Sequence, residues 1–389
     1  MKAICFYLPQ FHPIPENDEW WGRGFTEWTN VARARPLFRG HAQPRIPADL
    51  GFYDLRLPEA RLAQAELASA YGIEAFCYYH YWFNGRMLLE RPFNEVLASG
   101  EPDFPFCLCW ANGNWTRRWD GRETDVLMAQ DYERYGPAEH YRWLAAAFAD
   151  PRYVTVHGRP LFLMYDAAAA PSLSAIVGGW REAAVRAGDP DPYLCGVMSP
   201  GNPLSYEDFL AAGFDAAVEF QPTGRRPLQG MLATGIGQSA VNLARDIRGR
   251  VMGSAQKIGP SIQDYSAIAR NAIASYEEAP ERLIPCVIPS WDNSARRGRR
   301  ATIIQNDDPA LYGRWLRAAA DRVSRRDPEE RIVFINAWNE WAEGCHLEPD
   351  LRHGRAFLEA TRDALEDAER AARPQAVEPA GTIASSAVG

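Results

Sequence analysis

Eight short apolar runs recur along this 389-residue chain, each followed by a polar or helical stretch. They fall at residues 3–8, 73–79, 106–110, 161–165, 193–198, 216–220, 284–288 and 332–337. They are almost continuously hydrophobic. A strand with one face in water alternates apolar and polar residues. A strand without alternation is covered on both faces, as in a parallel sheet packed between helices. The stretches between the runs read as helices at 58–71, 137–149, 174–187, 265–276, 309–325 and 353–372. Pro58 suits a first helical turn, and Gly72 and Gly188 suit the left-handed residue that ends a helix. Eight strand–helix alternations predict an α/β fold, a single (β/α)8 TIM-type barrel over residues 1–372. A doubly wound sheet is the alternative, because strand count alone does not close a barrel. Residues 373–389 are small and Pro-containing and are expected to be a disordered tail.

Two long connections interrupt the alternation, at 9–57 after the first strand and at 221–263 after the sixth. Both fall on the end of a barrel that carries active sites, and loops of this length commonly form binding walls or lids.

The charge balance is 42 Lys and Arg against 50 Asp and Glu, a net −8. With no extended Lys/Arg-rich cluster, nucleic acid and anionic membranes are poor partners. No stretch approaches the roughly 20 apolar residues of a membrane-crossing helix. The N-terminus reads as a strand and not as a signal peptide. Seven cysteines, an odd number set mostly in apolar runs, suit buried reduced thiols and a cytoplasmic protein. Cys107 and Cys109 lack the spacing of a zinc or redox site, so no metal and no cofactor is expected.

Thirteen tryptophans is a high number for such a chain. Ten of them fall in the first long connection or at predicted strand ends: Trp20, Trp21, Trp28, Trp82, Trp110, Trp115, Trp119, Trp291, Trp338 and Trp341. Beside them stand His12, Tyr79, His80, Asn112, Asp166, Asp292, Asn293, Asn336 and Asn339. Sugars call for this mixture: their C–H faces pack on aromatic rings, while their hydroxyls require fixed donors and acceptors. The aromatic excess is thus expected to wall a carbohydrate cleft. Core packing is the plain alternative for each tryptophan, a structural role for each histidine, and a turn for Asp292–Asn293.

The sharpest feature is NAWNEWAEG at residues 336–344. Glu340 and Glu343 are three apart, so a helical turn after the last strand places their side chains about 5–6 Å apart at Cβ. Carboxylates that close push one pKa up. Such a pair supplies an acid and a base for glycoside cleavage. Two glutamates at a helix start, favoured by the macrodipole, are the alternative. His346 and Glu348 follow closely and are candidates for substrate contact or loop positioning. Arg296, Arg297, Arg299 and Arg300 form a short basic run that suits a phosphate or an acidic sugar, or else a solvated loop. P-loop, GxGxxG and GxSxG motifs are absent. Asp189-Pro190-Asp191 matches a metal-binding DxD only superficially and reads as a turn.

Four segments together resemble a known family: residues 16–56 (ENDEWWGRGFTEWTNVARARPLFRGHAQPRIPADLGFYDLR), WANGNWTRRWDG at 110–121, WDNSARRG at 291–298 and NAWNEWAEGCHLEPD at 336–350. They are similar to WbsX-type proteins, found with bacterial O-antigen and cell-surface polysaccharide genes. Through them they resemble the endo-α-mannosidase-like enzymes of glycoside hydrolase family 99. The resemblance runs in order over about residues 1–365. It implies a retaining, metal-independent reaction on an α-linked bacterial surface glycan, endo-acting. In it Glu340 deprotonates the sugar 2-hydroxyl, while Glu343 protonates the leaving oxygen and then activates water. Two departures bear on substrate: Gly113 stands where WbsX-type sequences commonly carry Glu, and Cys345–His346 replace a small residue followed by Tyr. A glycosyltransferase or transglycosylase in polysaccharide assembly, and a non-catalytic carbohydrate-binding barrel, are the alternatives.

Overall fold

The computed structural model describes residues 1–117, 122–132, 134–223 and 259–372. Eight parallel strands form its centre: β1 (Lys2–Tyr7), β2 (Ala75–Phe83), β3 (Phe106–Trp110), β4 (Arg159–Met164), β5 (Tyr193–Val197), β6 (Ala216–Glu219), β7 (Leu283–Val287) and β8 (Ile332–Ile335). Each pairs with its sequence neighbour, and β1 pairs with both β2 and β8, so the sheet closes on itself. Lys2 lies opposite Ile332 and Ile4 opposite Ala75 across that closure. This is the expected (β/α)8 barrel, and the doubly wound alternative is excluded. All eight strands lie where the apolar runs placed them.

A helix follows every strand: α1 (Pro58–Ala70), α2 (Arg91–Ser99), α3 (Pro137–Phe148), α4 (Leu173–Ala187), α5 (Tyr206–Ala211), α6 (Tyr265–Ser275), α7 (Pro309–Val323) and α8 (Ala356–Ala372). Helices α2 and α5 escape the sequence pattern because they are too short to show a period. Local chemistry builds them instead. Gly100 ends α2 in the left-handed conformation, and Ser205 and Asp208 cap α5 reciprocally. The first long connection is also more ordered than its composition suggests, with short helices at Pro15–Trp21 and Glu27–Arg33. Residues 224–258 of the second connection, Trp119 and the tail after 372 lie outside the described residues.

Strand β2 runs past its expected end to Phe83, because residues 81–83 pair antiparallel with Arg86–Leu88. His80 and Trp82 are therefore part of the wall and do not follow it. Successive side chains of a strand point to opposite faces. Tyr79 points inward, where its ring meets Phe6 and Tyr165. His80 and Trp82 point outward, against His140 of α3.

All seven cysteines are buried and unpaired with one another. No helix among the described residues is long and apolar enough to cross a membrane. The close fit of helix on barrel is plain at Gly196 in β5, where a Cβ would overlap the Phe209 ring of α5. Gly196→Ala is expected to cost about 1–3 kcal/mol of stability through overpacking. The readout is a lower midpoint of chemical denaturation with unchanged slope.

Candidate active site

Beyond β8 the chain makes a narrow hairpin over the C-terminal end of the barrel. Asn339 and Glu340 pair antiparallel with His346 and Cys345, and a 3₁₀ turn at Trp341–Glu343 joins them. In a 3₁₀ turn, side chains at i and i+3 eclipse, so Glu340 and Glu343 project to the same side. Gly344 closes the turn at φ 55°. A Cβ there would lie 2.9 Å from Arg45 Nε and 3.0 Å from the Asp292 carbonyl oxygen. Gly344→Ala combines a left-handed backbone, about 1–2 kcal/mol, with that crowding. It is expected to lower the thermal midpoint and to displace Glu343, with activity falling more steeply than stability.

Asn339 fixes the start of the hairpin by imitating a strand neighbour. Its Oδ1 accepts from the Leu8 N–H at 2.7 Å and its Nδ2 donates to the Leu8 carbonyl at 3.0 Å. Glu340 is 5% exposed and Glu343 half-buried. Between them lies the guanidinium of Arg296, in the short helix Ser294–Arg297 after β7. Its Nη2 donates to Glu340 Oε2 and its Nη1 pairs with Glu343 Oε1, each at 2.9 Å. The two terminal nitrogens of a planar guanidinium are ~2.3 Å apart, so those two oxygens are within about 8 Å of each other. That lies inside the span of carboxylate separations used by glycosidases. Arg296 is thus the correction to the basic run: it is neither a solvated side chain nor free for an anion, because carboxylates occupy it. Its Nε donates to a third one, Glu27, at 2.8 Å.

Burial pushes the Glu340 carboxyl up to about 8; Arg296 opposes the shift, and Glu343 and Glu27 add to it. Burial and the like charges therefore favour a proton retained by the unliganded pair. Tyr79, Tyr81 and Tyr165 complete the inner surface. Burial raises each phenol well above its ordinary value, and the negative charge of the pair adds to the shift.

The other sequence candidates divide by the face of the wall they occupy. His80, Trp82 and Trp110 point to the helix layer. His80 Nε2 is 2.9 Å from His140 Nε2, and Trp110 packs on His140 and Trp180. Burial lowers the His80 imidazole to about 3. These three are core residues and not cleft walls. Trp338 is fully buried against Phe76, and Trp291 is buried in the core. Among the described residues, the half-buried tryptophans are Trp20, Trp21, Trp28, Trp115 and, on α3, Trp143. Trp28 meets Trp341, and Trp115 meets Tyr81 and Trp20. The tryptophan excess is thus mostly barrel packing.

The polar candidates mainly hold loops. Asn112 joins the β3 and β4 ends: its Oδ1 accepts from the Asp166 N–H and its Nδ2 donates to the Asp166 carbonyl. Asp292 accepts from His41 Nε2 and Gln43 Nε2, both at 2.7 Å, which ties the first long connection to the β7 loop. Burial works against the Asp292 charge, but these bonds and Arg45 hold the carboxyl below its usual range. Asn293 Oδ1 accepts from the Thr302 N–H, so the turn alternative describes it. Asn336 Nδ2 donates to the Gln221 carbonyl. His346 stacks on Trp341 with ring centroids 3.7 Å apart, and burial lowers it to about 4. Glu348 accepts from Trp341 Nε1, Gln64 Nε2 and Tyr53 Oη, and burial raises it to about 7. His12 is buried with Nδ1 on the Pro9 carbonyl; burial lowers it to about 4, and its charged neighbours are Asp54, Arg56 and Arg91. Asp191, at the other end of the barrel, is tied up by Arg159 and Arg181. Among the described residues no group of three His, Cys, Asp or Glu could hold a metal ion.

A family model described as glycosyltransferase WbsX matches residues 3–361. The chain belongs to the WbsX family. The WxcX proteins of two Xanthomonas campestris pv. campestris strains, both called uncharacterized, are 44% identical to it over 366 residues. The match covers 93% of the chain and 49% of each relative, so the chain spans about half the length of the curated relatives it matches. In fold, this WbsX member resembles the GH99 endo-α-mannosidase from Bacteroides thetaiotaomicron. There the TM-score is 0.57 at 16% identity, over 95% of this chain and 98% of that one. A solved glycoside hydrolase-like protein gives 0.58 at 15% identity, over 94% and 93% of the two chains.

Proposed function

We propose that this WbsX protein cleaves α-linked glycans of a bacterial surface polysaccharide with retention, using Glu340 and Glu343. The observation that carries the reading is the paired placement of the two carboxylates on one turn at the mouth of a closed barrel, bridged by Arg296. The roles follow the family 99 resemblance. Ionised Glu340 takes the proton of the sugar 2-hydroxyl, whose oxygen bonds to the anomeric carbon. The bond from that carbon to the leaving oxygen breaks, and Glu343 gives that oxygen its proton. Water then opens the resulting 1,2-anhydro sugar, giving a proton to Glu343 while Glu340 returns its own to the 2-oxygen. Both carboxyls end as they began.

In the unliganded pair burial favours the proton on Glu340, whereas this cycle starts with it on Glu343. One proton serves both positions. A sugar hydroxyl donating to Glu340 favours the ionised form of that carboxyl, so substrate binding itself promotes the productive arrangement. Tyr79, Tyr81 and Tyr165 supply aromatic faces and hydroxyls around the reacting sugar.

Transfer to a glycan acceptor is the second reading, favoured by the family model's description as a glycosyltransferase. The deciding experiment offers the protein α-linked oligosaccharides in one arm and nucleotide sugars with an acceptor in the other. New reducing ends that disappear in Glu343→Gln support hydrolysis. Consumption of nucleotide sugar without hydrolysis replaces it by transfer.

A further inference from the structure

Glu27 is a third carboxylate on Arg296, outside the Glu340–Glu343 turn. It is fully buried, in the first turn of the short helix Glu27–Arg33, far from the pair in sequence. Its backbone N–H donates to the Gln10 carbonyl at 3.0 Å, which fixes the helix start against the end of β1. Its Oε1 accepts from Arg296 Nε at 2.8 Å and from Asn30 Nδ2 at 3.2 Å, while its Oε2 has no hydrogen-bond partner. A buried carboxylate is costly unless paired, and Arg296 is its only ion-pair partner among the described residues. The same guanidinium carries the Glu340 and Glu343 contacts on its two other nitrogens. A planar fork held at Nε has no freedom to turn toward one partner at Nη1 or Nη2 alone.

We infer that Glu27 is a positioning residue of the site: it anchors Arg296 from behind, so that one guanidinium bridges Glu340 and Glu343 without neutralising both, and the pair retains a proton. This rests on the proposed pair. Three carboxylates share one cation, so the cluster keeps a net negative charge, which favours a bound proton. Among the described residues, Tyr79, Tyr81, Tyr165 and the Cys345 thiol also lie near Glu340 and carry no positive charge, and the neighbouring cation Arg45 is paired with Asp307. Since Glu27 is buried behind Arg296, it acts through that residue without touching substrate.

The test is an NMR titration of protein carrying carboxyl-labelled glutamate, with the Glu340 signal assigned by its loss in Glu340→Gln. Glu27→Gln keeps the hydrogen bond to Arg296 and removes the charge. It is expected to move the Glu340 midpoint down by roughly one pH unit. The alkaline limb of kcat/KM should move by the same amount, and KM should stay unchanged. A midpoint that stays in place overturns the assignment, whatever substrate is cleaved. A moved midpoint in a protein that cleaves no glycoside upholds it and rejects the proposed reaction instead. If Glu27→Gln does not fold, the wild-type protein still decides. The Arg296 Nε–H resonance, assigned through Arg296→Lys, should exchange with solvent at least about tenfold more slowly than that of an exposed arginine; equal exchange overturns the anchor.

Discussion

Glu343→Gln is expected to lower kcat for glycan cleavage by about a hundred- to ten-thousand-fold, the usual worth of a positioned proton donor. Glutamine keeps the side chain's size and its capacity to accept from Arg296 Nη1, so the hairpin should stay in place and the thermal midpoint should move little. What is lost is the proton for the leaving oxygen. The defect should therefore depend on the leaving group. With an aryl glycoside whose phenol leaves unaided, single-turnover release by Glu343→Gln should return to within about tenfold of wild type. Glu340→Gln should stay impaired with the same substrate, because activating the 2-hydroxyl is needed however good the leaving group. Equal impairment of both variants on both substrates would remove the division of roles. Undiminished cleavage by Glu343→Gln would remove the pair.

The barrel was legible because its strands are covered on both faces and so read as unbroken apolar runs. The same property hides which way each side chain points. A half-exposed strand declares its inner face by alternation; β2 and β3 do not. His80, Trp82 and Trp110 thus look like site residues by position in sequence, yet lie on the helix side of the wall. Tyr81 and Tyr165, each one residue away from a named candidate, face the pair instead. Glu340 and Glu343 were legible because a single turn brings them together. Arg296 and Glu27 were not: their contact closes 269 residues of chain, and nothing local to either distinguishes it. Arg296 carried a hint in its basic run, read there as a site for an anion or else a solvated loop. The anions it holds are the protein's own carboxylates. The first long connection explains the rest, since His41 and Gln43 reach Asp292 and Tyr53 reaches Glu348. That connection is the back wall of the site.

The pH dependence follows from the proton that the pair holds. Above about 8 Glu340 loses it, both carboxylates are then charged, and no proton remains for the leaving oxygen. Because kcat/KM reports groups of the free enzyme, it should fall about tenfold per pH unit above that point, close to a hundredfold at pH 10. The sign does not depend on which carboxyl carries the proton in the productive complex, because the pair titrates as a unit. Glu348, raised by burial to about 7 behind Trp341, titrates at the lower edge of this window, and Glu348→Gln separates its limb from that of the pair; the groups in contact with the pair titrate outside the window. Burial raises the Tyr79, Tyr81 and Tyr165 phenols and the Cys345 thiol well above their ordinary values. Burial works against the Arg296 charge, but its three carboxylates more than offset that and raise it as well. His346 and His12, lowered by burial to about 4, have already lost their charge. The measurement is kcat/KM on a neutral oligosaccharide between pH 6 and pH 10, with circular dichroism to show that the fold persists. A plateau that runs through pH 10 would mean that cleavage needs no proton from Glu340 or Glu343, and the acid–base pair would be withdrawn.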